Sequence, residues 1–285
     1  MRGPKQLRLG TRGSALAIRQ AGMIKAMIES AHIECHVELI PIKTTGDMRS
    51  ENISSLGGKG VFIKEIEDAL LRDDIDIAVH SFKDITSTPH EQLEYSAFLL
   101  QERVTDAFIL FNDNKNIDVD DCVIATGSMR RQALCHELYP RTTCVPIRGN
   151  IDTRIQKAKA LGYDGLILST AGLQRLGLDH LITHEPDPTR FIPAPGQGML
   201  AIQHQKNNPE LADMMQNLVD PSIHELGCQY FELLKGIAFN CNLPLGAYID
   251  GNQCHVFLKH KASKYMTFPV SEMGDAMGKI RSMAQ

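Results

Sequence analysis

IDIAVHSFKD, the sequence of residues 75–84, opens with branched apolar residues at alternate positions and closes with a lysine and an aspartate. Alternation of this kind predicts a β-strand, and here the strand should end near Ser81. The apolar spacing of residues 61–72, just before it, predicts an amphipathic helix. Ligands of open α/β sheets bind outside the carboxyl ends of strands, so Lys83 and Asp84 are expected at a binding site.

Strands and helices alternate on both sides of this stretch. A strand is predicted at 7–10, a helix capped by Ser14 follows it, and another strand is predicted at 36–43. A second series begins near Asp106, with strands at 107–110, 123–126, 143–147 and 165–168 and helices after Ser128, Asn150 and Thr170. This alternation predicts an α/β fold with helices packed on mostly parallel sheets. Beyond Asp220-Pro221 the pattern changes to a helix, hairpin-like strands at 245–258 and a last helix near 271–283.

The composition excludes several classes of protein. The chain has 285 residues, of which 43% are hydrophobic and 22% charged, and its net charge of −4 gives no general attraction to nucleic acid. No segment approaches the roughly 18 apolar residues of a membrane span, so a cytoplasmic protein is expected. The seven cysteines form no CxxC pair, which indicates free thiols, and no metal site is expected.

Cationic residues recur just past the predicted strands, at the starts of helices. They are Arg12, Lys83, Arg130, Arg131, Arg148, Arg154 and Arg175. Helix N-termini favour anions, and guanidinium groups bind carboxylates through two parallel hydrogen bonds. Any one of these residues could simply be a solvated charge on the surface. So many at equivalent positions instead favour a site for a small ligand with several carboxylates.

Three further features bear on the chemistry. Asp84, surrounded by cations, would stay ionised and could stabilise positive charge on a reacting group, although a lone aspartate at a strand end is usually a turn residue. Residues 57–60 read GGKG but lack the Walker spacing, so a nucleotide-dependent enzyme is poorly supported and a lid carrying Lys59 fits better. For Cys241, spacing alone favours a structural cysteine.

Nine collinear motifs resemble those of the porphobilinogen deaminases, also called hydroxymethylbilane synthases. They are GTRGSALA (10–17), GGKGVFIKEIE (57–67), DIAVHSFKD (76–84), DAF (106–108), TGSMRRQ (126–132), IRGNIDTR (147–154), STAGLQRLGL (169–178), PAPGQG (193–198) and CNLPLGAY (241–248). The resemblance runs from about Leu7 to Asp250. Several motifs in the same order are far more specific than any one of them.

The resemblance implies a fold of three domains. The first two are doubly wound α/β domains like type II periplasmic solute-binding proteins, and the third is a small α+β domain that carries the cofactor cysteine. The implied boundaries are 1–99 with 195–218 for domain 1, 102–193 for domain 2 and 221–285 for domain 3.

The resemblance also implies the reaction and its residues. Four porphobilinogen molecules are joined head to tail with loss of ammonia, on a dipyrromethane cofactor attached to Cys241 by a thioether, and hydroxymethylbilane is released by hydrolysis. Asp84 matches the catalytic carboxylate. The implied cofactor-binding residues are Cys241, Lys83, Ser81, Ser128, Arg130, Arg131, Lys59 and Arg154. The implied substrate-binding residues are Arg12, Ser14, Arg148, Arg154 and Arg175.

Some positions depart from the family's usual residues. Tyr230-Phe231 stands where a Glu-Arg pair is usual, and Phe239-Asn240 replaces the glycine pair before Cys241. Two alternatives therefore stay open: a catalytically impaired homologue, and a non-catalytic module that binds polycarboxylates. The expected partner is porphobilinogen alone, without nucleic acid or membrane, and the chain is expected to be a monomer.

Overall fold

The computed structural model describes residues 6–44, 63–99, 102–111, 119–237 and 243–284. The chain forms two compact units. Unit 1 comprises Met1–Glu102 and Met199–Glu232, and unit 2 comprises Arg103–Gly198 and Leu233–Gln285. The division into three domains at the implied boundaries stays a prediction.

The described strands and helices follow the predicted alternation of an α/β protein. The strands are β1 Gln6–Arg12, β2 His36–Ile42, β3 Ile77–Ser81, β4 Leu93–Leu99, β5 Asp106–Leu110, β6 Val123–Ala125, β7 Thr143–Val145, β8 Gly165–Ser169, β9 Leu200–Gln205, β10 Leu245–Asp250, β11 Gln253–Lys259 and β12 Ser263–Pro269. The helices are α1 Ala15–Ala31, α2 Lys64–Leu71, α3 Met129–Leu138, α4 Ile151–Ala160, α5 Thr170–Arg175, α6 Pro209–Gln216, α7 Pro221–Ile237 and α8 Met273–Ala284.

Unit 1 contains a five-stranded sheet in the order β2-β1-β3-β9-β4. β1 runs parallel to β2 and β3, whereas β9 runs antiparallel to both β3 and β4. The sheet is therefore mixed rather than mostly parallel. β9 joins it only after the chain has passed through residues 103–198, so no direct β-α-β crossover forces it to be parallel to β3. Ile24 and Ile28 of α1 pack into the core over this sheet.

Unit 2 contains two sheets. The four-stranded sheet has the order β5-β8-β6-β7, with β6 parallel to β7 and β8, and β5 antiparallel to β8. The three-stranded sheet, β10-β11-β12, is antiparallel throughout. Phe257 of β11 is fully buried in one cluster with Phe108, Phe191 and Ile192. This shared core joins the two sheets into one unit.

Two of the predicted helix starts are capped as expected. The hydroxyl of Ser14 accepts a hydrogen bond from the Ala17 N–H at 3.3 Å, and the hydroxyl of Ser128 accepts one from the Arg131 N–H at 3.4 Å. Such caps satisfy backbone donors that the first turn leaves unpaired. The N-cap position of α4 is Asn150, whose side chain makes no capping bond.

Helix α7 crosses β4 in direct contact at Gly227. A Cβ atom there would lie 2.3 Å from the Cβ of Phe98, whereas one at Gly278, in α8, would have nothing within 4 Å. We expect Gly227→Ala to lower the free energy of unfolding by about 1–3 kcal/mol through overpacking. Gly278→Ala is the matched control and should raise it by about 0.5–1 kcal/mol, because alanine favours helices. Urea unfolding followed by circular dichroism measures both, and a stabilised Gly227→Ala variant would contradict this packing.

Candidate active site

In unit 1 the neighbouring parallel strands β1 and β3 end at the same edge of the sheet. Leu9 is opposite Ile77 and Gly10 is opposite Ala78, so Arg12 and Ser81 follow within three residues on adjacent strands. Electrostatic interactions link both Arg12 and Asp84 to His80, the residue before Ser81. The structure thus brings the predicted residues Arg12, Ser81 and Asp84 into one neighbourhood.

Ser81 is held by a residue that the sequence analysis missed. The Gln20 amide donates to the Ser81 hydroxyl at 3.0 Å, and the hydroxyl lies 3.2 Å from the amide oxygen of Gln20. Gln20 is only 4% exposed. Its position on the buried face of α1, beside Ala17 and Ala21, was the available signal, because a polar residue on an apolar face needs a partner.

Lys83 and Asp84 lie in a short 3-10 turn, Phe82–Asp84, directly after β3. Phe82 is fully buried, and its ring packs against Phe98 at a centroid distance of 5.1 Å and against Tyr230 at 6.1 Å. Its N–H donates to the Met199 carbonyl at 3.0 Å. The first residue of the turn is therefore fixed in the core, while the next two, Lys83 and Asp84, remain partly exposed.

The departure at Phe231 is accommodated by aromatic packing. The ring of Phe231 lies 5.4 Å from that of Tyr95 and 5.9 Å from that of Phe98. Phe98 also stacks on His224, at 5.7 Å and an angle of 23°. Phe231 therefore extends the cluster that supports Phe82, in a place where the resemblance implies a cation.

In unit 2 three adjacent strands end at one edge, because β6 is parallel to both β7 and β8. Each is followed by a helix or its cap, and the predicted residues of this unit lie there. Ser128, Arg130 and Arg131 follow β6, Arg148 and Arg154 follow β7, and Arg175 ends the helix after β8. The predicted grouping at the carboxyl ends of the strands thus holds in this sheet.

Arg130 and Arg131 share one buried carboxylate, that of Asp106. Arg130 Nη1 lies 2.7 Å from Oδ2, while Arg131 Nε and Nη2 lie 2.9 and 2.7 Å from Oδ1. Both guanidiniums also donate to backbone carbonyls, Arg130 to Ile192 at 2.7 Å and Arg131 to Ile167 at 3.0 Å. Asp106 is fully buried, and each arginine is 6% exposed.

The electrostatics of this cluster favour an additional anion. Burial alone would raise the pKa of Asp106, but the charges and hydrogen bonds of Arg130 and Arg131 outweigh it and hold that pKa well below its ordinary value. One ionised carboxylate beside two guanidiniums leaves an excess of one positive charge. This charge lies at the N-terminus of α3, whose helix dipole also favours anions.

The other predicted arginines differ in their surroundings. Arg148 is exposed, Arg154 donates from Nε to the Gly149 carbonyl at 2.6 Å, and Arg175 is buried and donates to the Gly198 carbonyl at 2.7 Å. Gly149 has a φ of +119°, a conformation that residues with a side chain rarely adopt. Glycine at this position allows the turn whose carbonyl oxygen accepts the hydrogen bond from Arg154.

Gln197, beside Gly198, joins the two segments through which the chain enters and leaves unit 2. Its amide nitrogen donates to the carbonyls of Val104 and Thr105 at 2.7 and 3.1 Å and to Oδ1 of Asp106 at 3.1 Å. Gln197 is 2% exposed. No pattern in the sequence indicated this role of the Gln197 side chain.

Several predictions lie outside the described residues. These concern Lys59, Cys241, Phe239, Asn240 and all but the first residue of the predicted lid, residues 44–60. In the described part of the chain the cysteines are free thiols, and no group of three or more His, Cys, Asp or Glu could hold a metal ion. Within the same ranges no helix is both long and apolar enough to cross a membrane.

Comparison with known families decides the assignment. The sequence model described as "Porphobilinogen deaminase, dipyromethane cofactor binding domain" matches residues 7–213. The chain belongs to the porphobilinogen deaminase family. Its relatives include the porphobilinogen deaminases of Lachnospira eligens, 40% identical over 245 residues, and Syntrophobacter fumaroxidans, 36% identical over 250 residues. These alignments cover 85% and 86% of this chain and 83% and 81% of the relatives.

The similarity of this chain to two solved structures is low. A TRAP periplasmic solute-binding protein from Desulfovibrio salexigens and the methionine-binding protein MetQ both give a TM-score of 0.46 at 12% identity. They cover 81% and 80% of this chain, and the alignments span 77% and 96% of those chains. The predicted α/β class is confirmed by the strand order itself, and the predicted family is confirmed by the sequence match.

Proposed function

We propose that this porphobilinogen deaminase homologue joins four porphobilinogen molecules head to tail with loss of ammonia and releases hydroxymethylbilane by hydrolysis. The observation that carries the proposal is the pair Arg130–Arg131, which keeps an excess positive charge at the start of α3 although both residues are buried. Buried charge without full compensation is costly, so its retention indicates an anionic ligand. Porphobilinogen carries an acetate and a propionate on its single pyrrole ring.

The donor groups of this chain fit a dipyrromethane cofactor. Its carboxylates suit guanidinium forks, hydroxyls and a helix N-terminus, all of which are present around Ser128. In the proposal the cofactor is attached to Cys241 and held by Ser81, Lys83, Ser128, Arg130, Arg131, Arg154 and Lys59. When bound, this group supplies the pyrrole ring to which the first substrate is joined.

Asp84 is the proposed catalytic residue. Its turn is fixed by the buried Phe82, so the backbone that carries the carboxylate is in place before the substrate arrives. A fixed carboxylate stabilises positive charge on the pyrrole nitrogen of porphobilinogen as the aminomethyl group loses ammonia. Arg12, Ser14, Arg148, Arg154 and Arg175 are the proposed contacts for the acetate and propionate groups. The proposal also places the chain in the cytoplasm, as a monomer that binds no nucleic acid.

Stoichiometry tests this function. The purified chain is incubated with excess porphobilinogen, and substrate consumption, ammonia and hydroxymethylbilane are measured together. The proposal expects four substrates consumed and four ammonia molecules released per product, over many turnovers. Binding of porphobilinogen without release of ammonia would indicate a polycarboxylate-binding module. Release of ammonia with less than one hydroxymethylbilane formed per protein chain would indicate an impaired homologue.

A further inference from the structure

The turn between β6 and α3 is organised around one buried residue, Thr126. Its N–H donates to the Val145 carbonyl at 2.8 Å, which extends the pairing of β6 with β7. Its hydroxyl accepts from the Ser128 N–H at 3.2 Å. Its carbonyl accepts from the side-chain amide of Gln132, also at 3.2 Å. Thr126 is 1% exposed, so the turn is anchored in the core of unit 2.

Gln132 closes this turn from the helix side. It is the fourth residue of α3, and its side chain reaches back over the first helical turn to a carbonyl that precedes the helix. A carbonyl oxygen only accepts, so the NH₂ end of the Gln132 amide must face Thr126. The backbone N–H of Gln132 donates to the Ser128 carbonyl at 3.0 Å. Gln132 thus binds both ends of the segment 126–128.

The segment held in this way presents the side chain of Ser128. The Ser128 N–H is bonded to Thr126, and the Ser128 hydroxyl oxygen accepts from the Arg131 N–H at 3.4 Å. A hydroxyl that accepts one hydrogen bond still has a proton to donate, so the proton of Ser128 is available for an anion. Ser128 is partly exposed, whereas Thr126 is buried. The backbone of the turn therefore sets the direction of this donor.

The turn also touches the segment that leads to Arg148. A Cβ atom at Gly127 would lie 2.7 Å from the Ile147 carbonyl oxygen, so the two backbones are in direct contact there. Ile147 is 6% exposed and directly precedes Arg148. Ser128 and Arg148 are both proposed contacts for carboxylates, and their segments meet at this turn. A displacement of the turn would therefore disturb both.

We propose that Gln132 is a positioning residue for the dipyrromethane cofactor, because it holds the turn 126–128 so that the Ser128 hydroxyl faces a cofactor carboxylate. The inference rests on the proposed function, which places the cofactor at Ser128. Without the amide of Gln132, the Thr126 carbonyl would turn toward water and Ser128 would adopt more than one orientation. One neutral hydrogen bond has a modest net effect, so we expect slower cofactor assembly rather than a loss of folding.

Gln132→Met tests the inference, because methionine has a similar length and helix propensity but cannot donate a hydrogen bond. Gln156→Met is the matched control, since Gln156 is exposed in α4. Amide hydrogen exchange, resolved by residue with ¹⁵N NMR, reports the turn without any cofactor. The Ser128 N–H should exchange about fivefold faster in Gln132→Met, the equivalent of one neutral hydrogen bond, and at an unchanged rate in Gln156→Met.

Cofactor assembly completes the test. Each protein is produced in cells that lack porphobilinogen and is then incubated with it, and the gain in intact mass is followed with time. The rate should fall about fivefold in Gln132→Met and stay unchanged in Gln156→Met.

The inference is overturned if either the exchange of Ser128 or the rate of assembly in Gln132→Met equals that of the unaltered chain. Faster exchange spread evenly over β6 and α3 would show a general loss of stability and would also overturn it. An unaltered chain that gains no mass would instead contradict the proposed function, whereas unchanged Ser128 exchange in Gln132→Met contradicts the role of Gln132 alone.

Discussion

Replacing Asp84 with asparagine is expected to lower kcat for porphobilinogen by about 10²–10³-fold, the loss typical of removing one preorganised electrostatic contact to the reacting atoms. The amide keeps the size of the side chain and its place in the turn that Phe82 fixes, but it lacks the negative charge. Because Asp84 acts on charge that develops during the reaction, kcat and kcat/KM should fall together while KM changes little.

Steady-state rates of ammonia release measure this effect. Asp213→Asn is the matched control, because Asp213 lies on the exposed side of α6 in the same unit and has no proposed role. Thermal unfolding of Asp84→Asn should remain close to that of the unaltered chain, because Asp84 is partly exposed. A variant with undiminished kcat would remove Asp84 from the mechanism.

Replacing Asp106 with asparagine is expected to lower the free energy of unfolding by about 3–5 kcal/mol, the cost of removing one member of a buried ion pair. The two guanidiniums of Arg130 and Arg131 would then remain buried without their shared counter-ion. The disturbance lies in the first turn of α3, so the same variant should also retain less cofactor. Urea unfolding and the cofactor-loaded fraction of the purified protein measure the two effects, with the exposed Asp179→Asn as control.

The pH dependence of stability follows from the same carboxylate. The folded protein holds the pKa of Asp106 below its ordinary value, so more protons bind to the unfolded chain, and the contribution of Asp106 is fully present above about pH 4. It is lost as the pH falls further, toward the depressed pKa of the folded state. The stability difference between the unaltered chain and Asp106→Asn should therefore shrink with acidification below about pH 4. A difference that does not depend on pH would show that Asp106 is not ionised in the folded protein.

Local signals were sufficient for much of the fold. Ser14 and Ser128 precede helices as typical N-caps, and the alternating apolar residues after Ile75 identify β3. β4 and β9 were not predicted, for a physical reason. β9 is a central strand between β3 and β4 and is buried along almost its whole length, so it shows no alternation, and its buried Gln203 and His204 resemble surface residues in the sequence.

For the candidate site too, local patterns in the sequence predicted some features, whereas contacts between distant residues could not be predicted. Position at strand ends is a local property, and it placed Arg12 at the end of β1, Lys83 after β3 and the other arginines after β6, β7 and β8. The partners of those residues come from distant parts of the chain. Asp106 is 24 residues from Arg130, and Gln20 is 61 residues from Ser81. The periodicity of a single sequence does not predict which distant residues will be in contact. The buried partners of the site residues were therefore identified only in the folded structure.

The intact mass of the purified protein tests the central claim most directly. The account predicts a mass above that of the polypeptide by one dipyrromethane, present in the unaltered chain and in Cys228→Ser but absent from Cys241→Ser. Cys228 is a suitable control because its side chain is partly exposed in α7 and forms no disulfide. A mass equal to that of the bare polypeptide, unchanged after incubation with porphobilinogen, would contradict the claim.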